Sequence, residues 1–208
     1  KVVVVGGGII GSSIAYQLAK RGAQVTLCER ERPAAGATSK SFAWINAYAG
    51  KEPDHYHRLN RLSTLAWREV ERGLGDRLAV QWGGSLEWHS DSEAARALVE
   101  QTRHQQARGY PIYLVGQEEF VNLEPGLRPG ASVEAAAWST EEGNVDPVAA
   151  TITLVDAAKS AGAEVLYPCE VTDLELSGRQ LASVVTSEGP LDADTVVIAS
   201  GVDTPSLA

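Results

Sequence analysis

Gly6, Gly7, Gly8, Ile9, Ile10 and Gly11 follow directly on a lysine and four valines. Glycines spaced G-x-G-x-x-G between an apolar strand and a helix make a seat for the diphosphate of a dinucleotide. Gly6 permits the tight turn. Gly8 lets the backbone approach the phosphates with no Cβ in the way, and Gly11 lets the helix pack closely on the strand. The backbone amides of Ile9 and Ile10 stand at the start of that helix, where no intrahelical carbonyl takes them, so they point at the anion. Glu29 lies about 20 residues further on, at the end of the next apolar run. A carboxylate there accepts hydrogen bonds from a ribose 2′,3′-hydroxyl pair and repels a 2′-phosphate, which argues against NADP; Arg30 beside it argues the other way.

No residue presents itself as acid, base or nucleophile. Ser39 has no histidine–acid pair placed to activate it. His55 and His57 flank Tyr56 at a helix start, where such histidines are usually partly exposed polar residues. His89 and His104 have no partner at metal-ligand spacing, so no metal is expected.

The elements that position the glycine turn read as a βαβ crossover. Lys1–Val5 is a buried strand. Ser12–Arg21 is an amphipathic helix with Ile14, Ala15 and Leu18 on one face, ended by Gly22, and Gln24–Cys28 is a second strand. Residues 30–50 form a loop rich in Ala, Gly, Ser and Thr, too long for a simple connector. Residues 54–73 form a helix with Leu59, Leu62, Leu65, Ala66 and Val70 as its apolar stripe. Strands are expected over 78–89, broken at Gly83-Gly84, a surface helix over 92–108, a strand over 111–115, a short helix over 117–123 and a strand over 133–138. Trp82, Trp88 and Trp138 are expected to pack this inserted segment. Asp146 caps a helix that has Pro147 in its first turn and Gly162 at its end. Strands over 164–167, 170–176, 180–187 and 195–199 complete a sheet, with Ser177-Gly178 as a hairpin turn.

The fold class is therefore α/β: a Rossmann-like nucleotide-binding domain made from residues 1–75 and 143–208, with an inserted, strand-rich α+β segment, 76–142, belonging to a second domain. The sequence has 208 residues and a formal net charge of -9. With no basic surface to displace counterions, a nucleic-acid partner is not expected. No apolar run approaches the roughly 18 residues of a membrane span. Cys28 and Cys169, the only two cysteines, sit in apolar strands, as buried residues of a protein in a reducing compartment such as the cytoplasm. No methionine is present and the first residue is already in a strand, so the natural amino terminus is expected to lie upstream.

Five stretches together resemble the D-amino-acid oxidase superfamily of FAD-dependent oxidoreductases, which includes glycine oxidase, sarcosine oxidase and D-amino-acid dehydrogenase. They are VVVVGGGIIGSSIAYQLAKRGAQVTLCER, GATSKSFAWINA, EEFVNLEPGLRPG, GNVDPVAATITLVDAAKSAGAEV and ADTVVIASGVDTPSL. The resemblance implies FAD as cofactor, with Glu29 on the adenosine ribose. It places Ala37, Thr38 and Ser39 over the phosphates, and Phe42, Ala43 and Trp44 near the flavin end. Relatives usually carry glycine where Ala43 stands. The backbone around Val171 is placed against the adenine, although core packing explains that valine equally well. Ala199 and Gly201 return the chain to the dinucleotide. The histidines at 55 and 57 then invite a covalent flavin link or a proton relay, against the simpler reading as surface polar residues.

The activity implied is oxidation of a small-molecule amine or amino acid, with hydride passing to the flavin and the imine hydrolysing in water. Relatives draw their substrate-binding arginine and tyrosines mostly from sequence beyond the VVIASG element and run to nearly twice this length. The chain is therefore expected to be the amino-terminal portion of a longer oxidase, its missing groups supplied by a C-terminal half, with a homo-oligomer as the other arrangement, and no catalytic residue is assigned within it. Two other functions use the same crossover: an NAD-dependent dehydrogenase, which needs about six consecutive parallel strands that this order of elements does not supply, and a non-catalytic FAD-binding module or subunit.

Overall fold

Val3, Val4 and Val5 are all buried, the pattern of a strand covered on both faces, which parallel sheets require. The structure, a computed structural model, describes residues 1–48 and 50–207. In chain order it begins with β1 (Val2–Val5), α1 (Ile9–Lys20), β2 (Val25–Cys28), β3 (Trp44–Ile45) and α2 (Asp54–Leu74). Next come β4 (Val80–Gln81), β5 (Ser85–His89), α3 (Ser92–Ala107), β6 (Ile112–Val115), α4 (Gln117–Leu123), β7 (Ala135–Ser139) and β8 (Gly143–Val145). The chain closes with α5 (Pro147–Ser160), β9 (Glu164–Leu166), β10 (Val171–Ser177), β11 (Gln180–Thr186), β12 (Gly189–Leu191) and β13 (Thr195–Ile198).

The chain divides into two compact units. The first comprises Lys1–Ala43, Glu71–Val80 and Val145–Ala208, the second Trp44–Val70 and Gln81–Asn144. Residues 44–70 thus group with the inserted segment, whereas the sequence alone places them with the nucleotide-binding part.

In the first unit a four-stranded sheet runs in the order β13-β1-β2-β9, parallel throughout. Val5 is in register with Ile198 on one side and Cys28 on the other, so the chain leaves all three strands at the same end. α1 and α5 pack on each other. α5 is built by its capping residues: the Asp146 side chain accepts from the amides of Val148 and Ala149, each at 2.9 Å, Pro147 takes the first position, and Gly162 follows the helix at φ +95°, the left-handed conformation in which glycine escapes the Cβ clash.

The sheet expected at the end of the chain is two structures. β10, β11 and β12 form their own antiparallel sheet, and only β13 joins the parallel one. A side-chain pattern reports strands but not which neighbour each finds, and β12, three residues long, carries almost no pattern.

In the second unit β5-β7-β6 form an antiparallel sheet, with α3 packed on it. Asp91 caps α3, accepting from Glu93 and Ala94. Trp88 meets Phe120 edge to face at 5.7 Å. β3 pairs antiparallel with β8 through Trp44–Asn144 and Ile45–Gly143.

The stripe assigned to α2 faces the other way. Leu59 is 59% exposed and Leu62 56%, with Leu65 and Ala66 exposed beside them, while His57 and Thr64 are buried. The polar face holds the helix. Arg61 donates to the Gly109 carbonyl at 2.6 Å and pairs with Glu141 at 3.5 Å. Arg68 lies 3.9 Å over the Trp82 ring and donates to the Glu141 carbonyl. Helical spacing locates an apolar stripe; charged hydrogen bonds and cation–π stacking, worth on the order of 1–2 kcal/mol each when partly buried, decide here which face turns inward.

Candidate functional site

The glycine turn is shaped by close approach of backbone to backbone. Gly6 has φ +106°, and a Cβ on it would lie 2.5 Å from the Ala199 carbonyl oxygen. A Cβ on Gly11 would lie 1.9 Å from the Gly6 carbonyl oxygen, so the helix start rests directly on the turn. Gly8 is the N-cap of α1, at φ −74° and ψ 179°, and has no side chain to satisfy the first amides. α1 begins at Ile9, three residues before the amphipathic pattern does, because the glycines carry no apolar signal. Ser12, the first patterned residue, bonds its amide to the Gly8 carbonyl and its hydroxyl to the Gly7 carbonyl.

Two distant segments close on this turn. The Glu29 carboxylate accepts the Gly7 amide at 2.7 Å on one oxygen and the Glu31 amide at 2.9 Å on the other. Each oxygen keeps a lone pair, so the group is oriented but not saturated. From the loop, Ala34 donates to the Gly7 carbonyl at 2.9 Å, and the Thr38 hydroxyl accepts the Ile9 amide at 3.1 Å. A Cβ on Gly8 would meet that same Thr38 oxygen at 3.1 Å. Thus Gly6, Gly8, Ile9, Gly11, Glu29, Thr38 and Ala199 come together at one end of the parallel sheet.

Other sequence candidates stand further from this cluster or are engaged elsewhere. Ala37, Thr38 and Ser39 form one 3₁₀ turn, but the Ser39 hydroxyl turns back on the Ala35 and Gly36 carbonyls. Arg30 pairs with Asp203 at 3.0 Å, joining the chain after β2 to the chain after β13. Ile10 and Phe42 are exposed, Phe42 to 85%. Ala43 has φ +55°, left-handed, which accounts physically for the glycine usual there in the resembled family; its amide donates to the Ser41 hydroxyl. Val171 has its side chain in the core with Val3, Val5, Cys28, Cys169, Val184 and Ala193, leaving only its backbone for a ligand. Gly201 sits at φ +63° with open space where a Cβ would be.

Cys28 and Cys169 are both free and buried. Burial, reinforced by the neighbouring Cys169, pushes the Cys28 thiol up to about 12, so it is an inert packing group. Among the described residues no His, Cys, Asp or Glu cluster is arranged to hold a metal ion, and no helix is long and apolar enough to cross a membrane.

Trp44 belongs to the second unit and leads to a feature the sequence does not announce. Glu142 is 0% exposed. Its Oε2 accepts the Trp44 indole N–H at 2.9 Å and the Ser85 hydroxyl at 2.6 Å, and its Oε1 accepts the Tyr110 hydroxyl at 2.5 Å. The Tyr110 oxygen in turn accepts the Ala47 amide at 3.3 Å. One carboxyl group therefore pins residues 44 and 47. Burial pushes the Glu142 carboxyl up, its three donors pull it down, and Glu87 nearby adds to the rise. Burial likewise pushes up the Tyr110 and Tyr48 hydroxyls; Tyr48 donates to Glu87 at 3.0 Å. His57, expected at the surface, is buried edge-on to the Tyr110 ring at 5.7 Å. Among the described residues of this unit, four buried polar atoms have no partner: Asn46 Oδ1, His57 Nε2, Thr102 Oγ1 and Gln105 Oε1. An acidic residue between Glu141 and Gly143 reads as a turn residue, so the only available signal for Glu142 was its place just before the helix cap at Asp146.

A family model described as FAD dependent oxidoreductase matches residues 1–208. Mitochondrial dimethylglycine dehydrogenase of Homo sapiens is 28% identical over 210 residues, which is 97% of this chain and 23% of that protein. Glycine oxidase of Bacillus subtilis (strain 168) is 30% identical over 206 residues, 97% of this chain and 54% of the enzyme. The crystal structure of glycine oxidase from Geobacillus kaustophilus matches with a TM-score of 0.89 and 26% identity, over 99% of this chain and 56% of that one. The chain spans little more than half the length of these oxidases, and less than a quarter of the dehydrogenase.

Proposed function

This chain belongs to the FAD-dependent oxidoreductase family, and from that premise we propose that its first unit is the FAD-binding domain of an enzyme that oxidises an amine or amino acid, the second unit being part of its substrate domain. The observation that carries this reading is the convergence on one helix start of Gly8, the Thr38 hydroxyl and Glu29. A diphosphate fits this cradle. Gly8 leaves room for it, the Ile10 and Gly11 amides and the Thr38 hydroxyl proton supply donors, the Ile9 amide expected to face the anion being held by Thr38 instead, and the helix dipole favours its charge. Glu29, already held by two backbone amides, keeps lone pairs for a ribose diol. Ala37, Phe42, Ala43 and Trp44 then lie along the chain leading away from the phosphates, and Val171 offers its backbone.

Bound FAD supplies a two-electron acceptor for the hydride on the carbon next to the substrate nitrogen. The protein's part is to hold the cofactor by its adenosine end and to present the amine without its extra proton. The named relatives act on dimethylglycine and glycine, and a small amino acid is the substrate class proposed here. Two free, buried cysteines fit a reducing compartment, and we assign the protein to the cytoplasm on that ground.

Anaerobic titration of the full-length polypeptide with glycine, sarcosine, proline and D-amino acids tests the proposal. Bleaching of the flavin bands by at least one of them is the expected result. A colourless protein that takes up NAD, or a yellow one that none of them bleaches, would overturn it.

A further inference from the structure

Leu59, Leu62, Leu65 and Ala66 recur three and four residues apart, so they share one side of α2. All four are exposed, the leucines by more than half. The helix cannot roll over to bury them. On its other side His57 and Thr64 are buried, Arg61 donates to the Gly109 carbonyl, and Arg68 stacks on Trp82 and donates to the Glu141 carbonyl. Rolling would expose the first pair and break each of those contacts. Arg58 and Glu69 stand exposed beside the leucines, one of each sign, so the stripe has an apolar centre and a polar margin. A contiguous patch of that make-up marks a surface that something covers.

Two observations choose the occupant. The chain spans 54% of one of the oxidases compared above and 56% of the other, so those relatives have nearly as much chain again outside the matched part. The stripe is also small, on the order of 300 Å², well short of the roughly 800 Å² per partner that a stable complex of separate molecules buries. A segment of the same polypeptide needs far less, because covalent linkage holds it at an effective concentration of the order of millimolar. We propose that the outer face of α2 is the docking surface for the segment of the full-length polypeptide that follows Ala208, which lays an apolar surface over Leu59, Leu62, Leu65 and Ala66. The proposal draws on the length of the relatives and not on the amine-oxidase reading.

The test uses the full-length protein carrying Leu62→Cys, beside a second protein carrying Glu100→Cys on the exposed side of α3. Labelling with N-ethylmaleimide is read peptide by peptide in the mass spectrometer. The thiol at position 62 is expected to react at least about 100-fold more slowly than the thiol at position 100, and equally so after the protein is diluted. A benzophenone amino acid in place of Ser63, beside the stripe, is expected to cross-link within one molecule to a peptide beyond position 208. Hydroxyl-radical footprinting of the unaltered protein repeats the measurement without a substitution: Leu59, Leu62 and Leu65 oxidise at least about tenfold more slowly in the native protein than in urea. Equal labelling at positions 62 and 100, protection that disappears on dilution, or cross-links that join two molecules or stay within residues 1–208 would overturn the proposal. No substrate enters any of these readouts, so a failure of the amine-oxidase reading would leave them unchanged.

Discussion

Two alanine substitutions three residues apart separate what the glycine turn does for folding from what it does for a ligand. A methyl group on Gly11 would stand 1.9 Å from the Gly6 carbonyl oxygen. Both atoms are main-chain-fixed, so α1 must retreat from the turn by more than about 1 Å before the contact is tolerable, an overpacking cost of about 1–3 kcal/mol. For a chain of this size each kcal/mol lowers the melting temperature by roughly 2–4 °C, so Gly11→Ala is expected to melt about 2–12 °C lower even without cofactor. Gly8 differs. Its φ of −74° suits any residue, and among the described residues the one atom near its added methyl is the Thr38 hydroxyl at 3.1 Å, which has to give by only a few tenths of an ångström. Gly8→Ala should therefore melt within about 1 °C of the parent when cofactor-free. The methyl, however, takes the place of a phosphate oxygen, and loss of one charge-assisted hydrogen bond, about 1.5–3 kcal/mol, corresponds to a Kd for FAD raised roughly 10- to 150-fold. Differential scanning fluorimetry of the apoproteins and titration of FAD fluorescence give both numbers. A Gly8→Ala protein that binds FAD like the parent, or a Gly11→Ala protein with an unchanged melting temperature, would refute the reasoning.

Other outcomes follow from the second unit and the core. Glu142→Leu leaves the Trp44 indole, Ser85 and Tyr110 donors without an acceptor; at about 1–3 kcal/mol for each buried orphan the unit should lose most of its stability, and denaturant unfolding followed by tryptophan fluorescence measures it. The Glu142 carboxyl is held above its ordinary value of 4.5 in the folded protein, so the folded state binds its proton more tightly than the unfolded one. Its contribution is then full below about pH 4.5 and is lost as the pH rises through the folded value; Glu142→Gln should flatten that part of the stability–pH curve, and equal slopes in both proteins would contradict the assignment. With its thiol pushed up to about 12, Cys28 should resist iodoacetamide at neutral pH until the chain is unfolded, which mass spectrometry of the alkylated protein reads directly.

How legible the molecule was from its sequence depended on whether the deciding force was local. The crossover from Val2 to Cys28 was readable because glycine spacing, apolar runs and a terminal carboxylate each answer to short-range rules. α5 was readable for the same reason: Asp146, Pro147 and Gly162 are capping residues whose effect does not depend on the rest of the fold. β3 and β8 were not, since strands of two or three residues are too short to show alternation and exist because their partner is present. α2 showed its stripe but not its direction, which Arg61 and Arg68 fix through contacts with residues far along the chain. At the candidate site, Glu29 and the glycines were visible, and so was the loop bearing Thr38. Which hydroxyl reaches the turn was not: Thr38 does and Ser39 folds back on its own loop. Glu142 was not recognised, because a buried carboxyl is recognised by its donors, and Trp44, Ser85 and Tyr110 come from three separate segments.

The central claim is that the turn between Val5 and Ser12 seats the diphosphate of FAD. The visible absorption spectrum of the purified full-length protein, beside that of Gly8→Val, tests it most directly. The account predicts close to one equivalent of tightly held FAD in the parent and a colourless, folded variant. Flavin retained in full by Gly8→Val, or a parent that takes up none when FAD is added, would contradict it.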